Sequence, residues 1–139
     1  MPAKNADHDI VRAALVADGW TITDDPLTLR VGSRSLHIDL GAEKSPIAAE
    51  RAGELIAVEI QSFSSPSVVA DLHQAVGQFA VYRLFLAERQ PERVLYLAVP
   101  SEVYDGILSE PLGAGVVAGL SVPLILFDPD GQEGLRWIR

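Results

Sequence analysis

The sequence predicts one mixed α/β domain, a central mixed β-sheet flanked by helices. Three features lead there: short alternating or wholly apolar stretches up to Gln61, one long amphipathic segment from Val68 to Arg89, and further apolar strands with a small helix beyond it. Strands on both sides of one long helix suit a mixed sheet better than a plain βαβ repeat. A chain of 139 residues can bury one sizeable core and is short for two ordinary domains.

Asp7 to Asp18 carries Ile10, Val11, Ala14 and Leu15 at helical spacing, with Gly19 placed to end a helix and Asn5 or Asp7 placed to cap it. Trp20–Thr23 is rich in β-formers, Asp24-Asp25-Pro26 is a turn, and Leu27–Val31 alternates as a second strand closed by Gly32-Ser33. In Leu36–Leu40, the residues Leu36, Ile38 and Leu40 are expected on one face, with His37 and Asp39 on the other. Gly41 to Glu54 is polar and Ala-rich with Pro46 inside it, and is expected to be a loop with a short helical turn. Leu55–Gln61 is nearly all apolar, as in a strand covered on both faces. Ser67 or Ser65 is placed to cap the long helix, and Pro91 closes it. Val94–Val99, a short helix at Ser101, a second between Leu112 and Gly119, Val122–Phe127 and a terminal strand at Leu135–Ile138 complete the order.

Composition narrows the function classes. The chain has no cysteine, which excludes disulfides and thiolate metal sites. No apolar run approaches the ~18–20 residues that span a bilayer, and the first residues lack the apolar segment of a signal peptide, so a cytoplasmic protein is expected. The net charge is −8, from 11 basic and 19 acidic residues with no basic run. Affinity for duplex DNA comes largely from Lys and Arg neutralising phosphates, so tight autonomous DNA binding is not expected. Weak or partner-assisted DNA contact and protein–protein binding are the classes left.

The chemistry-bearing feature is a set of polar residues on strands that otherwise bury themselves. Glu59 and Gln61 lie two apart, so both leave the same face of one strand. Asp39 ends an earlier strand, and pairing of the two would bring Asp39 and Glu59 together. Two hard carboxylate oxygens suit Mg²⁺ or Mn²⁺, which keep waters and leave positions for a phosphate. Gln78 and Tyr82 share one face of the long helix, a turn apart.

Asp39, then Glu59-Ile60-Gln61, then Gln78-Phe79-Ala80-Val81-Tyr82 resembles the Asp…Glu-x-Lys pattern of the restriction-endonuclease-like, or PD-(D/E)XK, superfamily, and the Gln-x-x-x-Tyr element is similar to that of its RecB-like members. Across almost the whole chain the sequence more closely resembles the XisH family, the excision controlling factors of cyanobacterial DNA elements. Asp18–Thr23, Asp25–Leu29, Asp39–Glu43, Ala57–Ile60, Gly77-Gln78, Leu95–Ala98 and Phe127–Pro129 carry the likeness. The resemblance implies a restriction-endonuclease-like fold. It also implies an accessory role in site-specific excision of a DNA element, beside a recombinase and a small XisI-type partner, with a homodimer as the expected state.

The site implied by the resemblance is Asp39 and Glu59 as ligands of Mg²⁺ or Mn²⁺, with Gln61 as the third catalytic position and Asp9, Gln78 and Tyr82 as accessory candidates. One departure matters: the superfamily has Lys where Gln61 stands, and a neutral amide supplies no charge to developing anionic oxygen. Three functions follow: an accessory excision factor with a weakened or lost nuclease site, an active Mg²⁺/Mn²⁺-dependent DNA endonuclease, or a protein-binding domain unrelated to excision. Each residue also has a plainer role. The carboxylates can be exposed strand ends, Gln61 a solvated strand residue, Tyr82 a core residue with its hydroxyl paired, and Asp9 a partner of the helix dipole. His37 and His73 are read as surface residues, and Glu43 as a second contact near Asp39. Three histidines without metal-type spacing argue against zinc.

Overall fold

The computed structural model describes residues 3–45 and 53–139. Helix α1 (Ala3–Ala17) is followed by strands β1 (Thr21–Asp24), β2 (Leu27–Val31), β3 (Arg34–Ile38), β4 (Leu40–Lys44) and β5 (Glu54–Ile60). Helix α2 (Val68–Arg89), β6 (Arg93–Pro100), α3 (Ser101–Asp105), a 3-10 turn (Ile107–Ser109), α4 (Pro111–Gly119), β7 (Leu124–Phe127) and β8 (Arg136–Ile138) complete the chain. Six strands form one sheet in the order β1-β4-β5-β6-β7-β8, and β2 and β3 form a separate hairpin. The β5–β6 and β6–β7 pairs are parallel and the other pairs antiparallel. This is the mixed α/β sheet flanked by helices that the sequence predicts. No helix among the described residues is long and apolar enough to cross a membrane.

The near-continuous apolar run of β5 divides by parity between two cores. Ala57 faces α2, with Leu72, Phe79, Leu95 and Leu97. Ile56, Val58 and Ile60 face α1, with Val11, Leu15, Leu40 and Ala98. All three are at most 1% exposed, and each such side chain stabilises the fold by about 1.5–3 kcal/mol. Residues 59 and 61 have the parity of Ala57, which points Glu59 and Gln61 at the α2 layer.

Three expectations need correction. The stretch from Gly41 is a strand, not a loop: β4 pairs with β1 on one side and β5 on the other, and residues 46–52 lie outside the described ones. Its Gly-Ala-Glu-Lys composition hides it because strand content here comes from pairing rather than propensity. Second, Leu36, Ile38 and Leu40 do not share a face. The chain bends at Asp39, so Ile38 enters the α2-side core and Leu40 the α1-side core. Third, α1 already runs from Ala3, so Asn5 and Asp7 lie inside the helix rather than at its cap.

The long helix spans Val68–Arg89 with Ser67 as its cap, the Ser67 hydroxyl accepting from the Ala70 N–H at 3.2 Å. The break at Ser62–Ser67 lets the chain leave the end of β5 and return along the sheet as α2, the right spacing for a parallel crossover to β6.

Candidate functional site

Glu59 is 1% exposed near the C-terminal end of β5, in the middle of the sheet. The parallel ladder holds its backbone beside Leu97, and the Gln61 N–H extends that ladder by donating to the Ala98 carbonyl at 2.9 Å. Asp39 is half-buried in the bend between β3 and β4, and the Leu40–Val58 pairing sets that bend against the end of β5. The strands therefore bring the two acids together as their spacing predicts.

The contact is reciprocal. The Asp39 N–H donates to Glu59 Oε1 at 3.2 Å, and the Ile60 N–H donates to Asp39 Oδ2 at 2.8 Å. Each carboxylate thus accepts a backbone donor from the other's segment. Gln61 Nε2 makes a long 3.4 Å hydrogen bond to Glu59 Oε2 and also donates to Gln78 Oε1 of α2. Gln61 is a clamped amide between strand and helix, not the solvated strand residue of the plainer reading.

Tyr82 follows Gln78 by one helical turn. Burial, then the charges of Glu59 and Asp39, push its phenol above the ordinary tyrosine value. That ordering places the hydroxyl within the field of both carboxylates and keeps it protonated, a hydrogen-bond donor, at neutral pH. The structure brings Asp39, Glu59, Gln61, Gln78 and Tyr82 into one neighbourhood.

Asp9 is placed elsewhere. It is exposed on α1 and lines a groove with Gly131–Leu135. The acid on the buried face of α1 is Asp7, 7% exposed, in the row Asp7, Val11, Leu15. That i, i+4, i+8 row was the signal in the sequence. Glu43 sits near the far end of β4, paired with Leu55, ~13 Å along the strand from Asp39, and is no second contact there. His37 is exposed on the hairpin and bonded to Thr28 at 3.1 Å, His73 is exposed on α2, and His8 bonds Asp25 at 2.8 Å. Among the described residues, no three His, Asp or Glu side chains form a metal-binding group. A cation at this place would have Asp39 and Glu59 as its protein ligands.

Two neighbours escaped the sequence reading. Ser62 Oγ is buried with no hydrogen-bond partner among the described residues. Phe63 has a φ of 54°, a left-handed conformation costing about 1–2 kcal/mol for a residue with a side chain, while its ring packs on the α2-side core.

The XisH protein family model matches residues 1–134. A crystal structure of an XisH family protein from Nostoc punctiforme superposes with a TM-score of 0.84 at 41% identity, covering 96% of this chain and 99% of that one. A fdxN element excision controlling factor protein from Anabaena variabilis gives a TM-score of 0.84 at 38% identity, covering 97% of this chain and 99% of that one. No curated protein matches the chain. The two solved structures share one architecture with the paired-acid domain described above along nearly all of its length, and the chain belongs to the XisH family.

Proposed function

We propose that this chain is a controlling factor for site-specific excision of a DNA element, acting with a recombinase and a small XisI-type partner. Its Asp39–Glu59 pocket is the weakened or lost nuclease site of a restriction-endonuclease-like domain. The excision role is carried over from the name of the Anabaena variabilis relative. The observation that carries the nuclease half is Gln61. Its amide is held by Glu59 and Gln78 at the position where that superfamily has a lysine. A neutral amide gives no cationic stabilisation to an anionic phosphoryl oxygen.

Asp39 and Glu59 are the residues that would hold Mg²⁺ or Mn²⁺, as hard oxygen donors at a strand end. Such an ion, when bound, polarises a phosphoryl oxygen and acidifies water. The chain's own groups orient: Gln61 keeps its carbonyl oxygen to accept from a water, and the protonated Tyr82 hydroxyl donates. An active Mg²⁺/Mn²⁺-dependent endonuclease is the second reading, favoured by the convergence of both acids and Tyr82.

The test incubates the purified chain, alone and with its companion protein, with labelled single-stranded, duplex and branched DNA in Mn²⁺ or Mg²⁺. Reconstituted recombinase excision is measured in parallel. The proposal expects excision to depend on the chain and to survive Glu59→Gln, with no cleavage by the wild type. Metal-dependent cleavage by the wild type that Glu59→Gln abolishes would replace it with the endonuclease reading. Cleavage appearing only in Gln61→Lys would identify the missing charge as the cause of the loss.

A further inference from the structure

On the α1 side of the sheet, away from the layer that Glu59 faces, α1 and the loop between β7 and β8 enclose an open groove of about 670 Å³. Its floor is apolar, with Ala13 and Ala17 of α1 and Leu135 beyond the loop, and its charged lining residues among the described ones are Asp9, Asp18 and Glu133, with no Lys or Arg. Alanines on a helix surface let another backbone come close. The loop wall is already built: the Asp128 carboxylate accepts the N–H groups of Asp130, Gln132 and Glu133 at 3.0, 2.9 and 3.1 Å. A preorganised wall lowers the ordering cost of binding.

We infer that this groove docks a basic amphipathic helix of a partner protein, its apolar stripe on the alanine floor and its Lys or Arg residues against Asp9, Asp18 and Glu133. Charge selects this occupant. Three acids line the groove with no Lys or Arg beside them among the described residues, and a second copy of a chain of net charge −8 brings further repulsion. Nucleic acid, a polyanion, is disfavoured for the same reason. The inference rests on the partner-dependent half of the proposed function. It puts docking and the carboxylate pocket on opposite faces of the sheet, so a bound partner leaves Glu59 and Gln61 uncovered.

The probe is a fluorescein-labelled 14-residue helix of Leu and Lys, with a Glu-for-Lys version as its counterpart, titrated against the full chain by anisotropy and mapped by amide NMR shifts. The expected result is saturable binding of the basic probe alone, with shifts at Ala13–Asp18 and Gly131–Leu135. The double variant Asp9→Lys/Asp18→Lys should weaken binding at least tenfold. Ala13→Tyr, which fills the floor without changing charge, should weaken it as well, and Glu88→Lys on exposed α2 should leave it within twofold. Equal binding to wild type and the double variant, shifts centred on Val81 and Leu84 of α2, no saturable binding, or a dimer that the double variant dissociates would each overturn the inference. Because none of these variants touches the carboxylate pocket, cleavage assays read that pocket separately, and probe binding read on the purified chain separates failure of the groove from failure of the excision role.

Discussion

Asp39 and Glu59 clasp each other through the main chain: each carboxylate receives a backbone N–H from the segment that carries the other. A pair of acids in this arrangement joins the β3–β4 bend to the end of β5, so it has a mechanical role whatever its chemistry. Glu59→Ala is expected to cost about 2–4 kcal/mol, because it opens a cavity at a buried side chain and leaves the half-buried Asp39 N–H without this acceptor. Glu59→Gln retains an acceptor oxygen and should cost less than half of that. Urea unfolding of the three proteins checks the order, and an alanine variant as stable as wild type would contradict the clasp.

Alkaline pH should weaken the fold through two tyrosines. Burial raises the phenol of Tyr82, assisted by Glu59 and Asp39, and burial raises that of Tyr96 against the opposing charge of Arg139. Above the ordinary tyrosine value of 10.0 the folded chain keeps protons that the unfolded chain releases. The stability these groups contribute is therefore complete below about pH 10 and is lost as pH rises through their folded values. Unfolding free energy should fall over that range, and fall less steeply in Tyr82→Phe/Tyr96→Phe. In ¹³C-tyrosine NMR titrations, Glu59→Gln should move Tyr82 part of the way back toward its ordinary value, since burial remains.

Two glycines give opposite signs on one substitution. Gly77 lies mid-helix in α2, and a Cβ there meets nothing within 4 Å, so Gly77→Ala should stabilise by about 0.5–1 kcal/mol through helix propensity. A Cβ at Gly113 of α4 falls 2.1 Å from the Ile107 carbonyl oxygen and 2.9 Å from Leu108 Cα. Backbone cannot yield cheaply there, so Gly113→Ala should destabilise by roughly 1–3 kcal/mol or more. Thermal melts of both variants decide the matter.

Asp128 organises the loop before β8. Hydrogen bonds from the backbone of Asp130, and then of Gln132 and Glu133, hold its carboxyl below the ordinary aspartate value. A lowered folded value means that its contribution is present above the unfolded value of 3.8 and is lost as pH falls through the folded one. Asp128→Ala should speed hydrogen exchange at the amides of Asp130, Gln132 and Glu133 while leaving α2 protection unchanged. Unaltered exchange at those three amides would show that another contact holds the loop.

Periodicity made the long helix legible and a nearly unbroken apolar run the central strand, and of the two serines read as possible caps Ser67 is the one that caps the helix. The convergence of Asp39 and Glu59 was legible too, since it follows once their strands pair. What escaped was non-local. Leu40–Lys44 is a strand because β1 and β5 flank it, not because Gly, Ala, Glu and Lys favour one. Asp9 enters through the resemblance, as an acid on the first helix, while Asp7 reads with Asn5 as a possible cap. With the helix running from Ala3, the same residue falls on the buried row with Val11 and Leu15. The clamp on Gln61 needed Gln78 from 17 residues away, which no strand pattern announces.

The bend at Asp39 sets the phase of the chain. Ile38 before it is counted into one core and Leu40 after it into the other, so gaining or losing a single residue between them would turn both layers inside out together. Folding alone therefore depends on this spot and on the acid that ties it to β5. The two acids thus carry an architectural duty under either proposed reading, and the residue at position 61, rather than the acids, is where the two readings part.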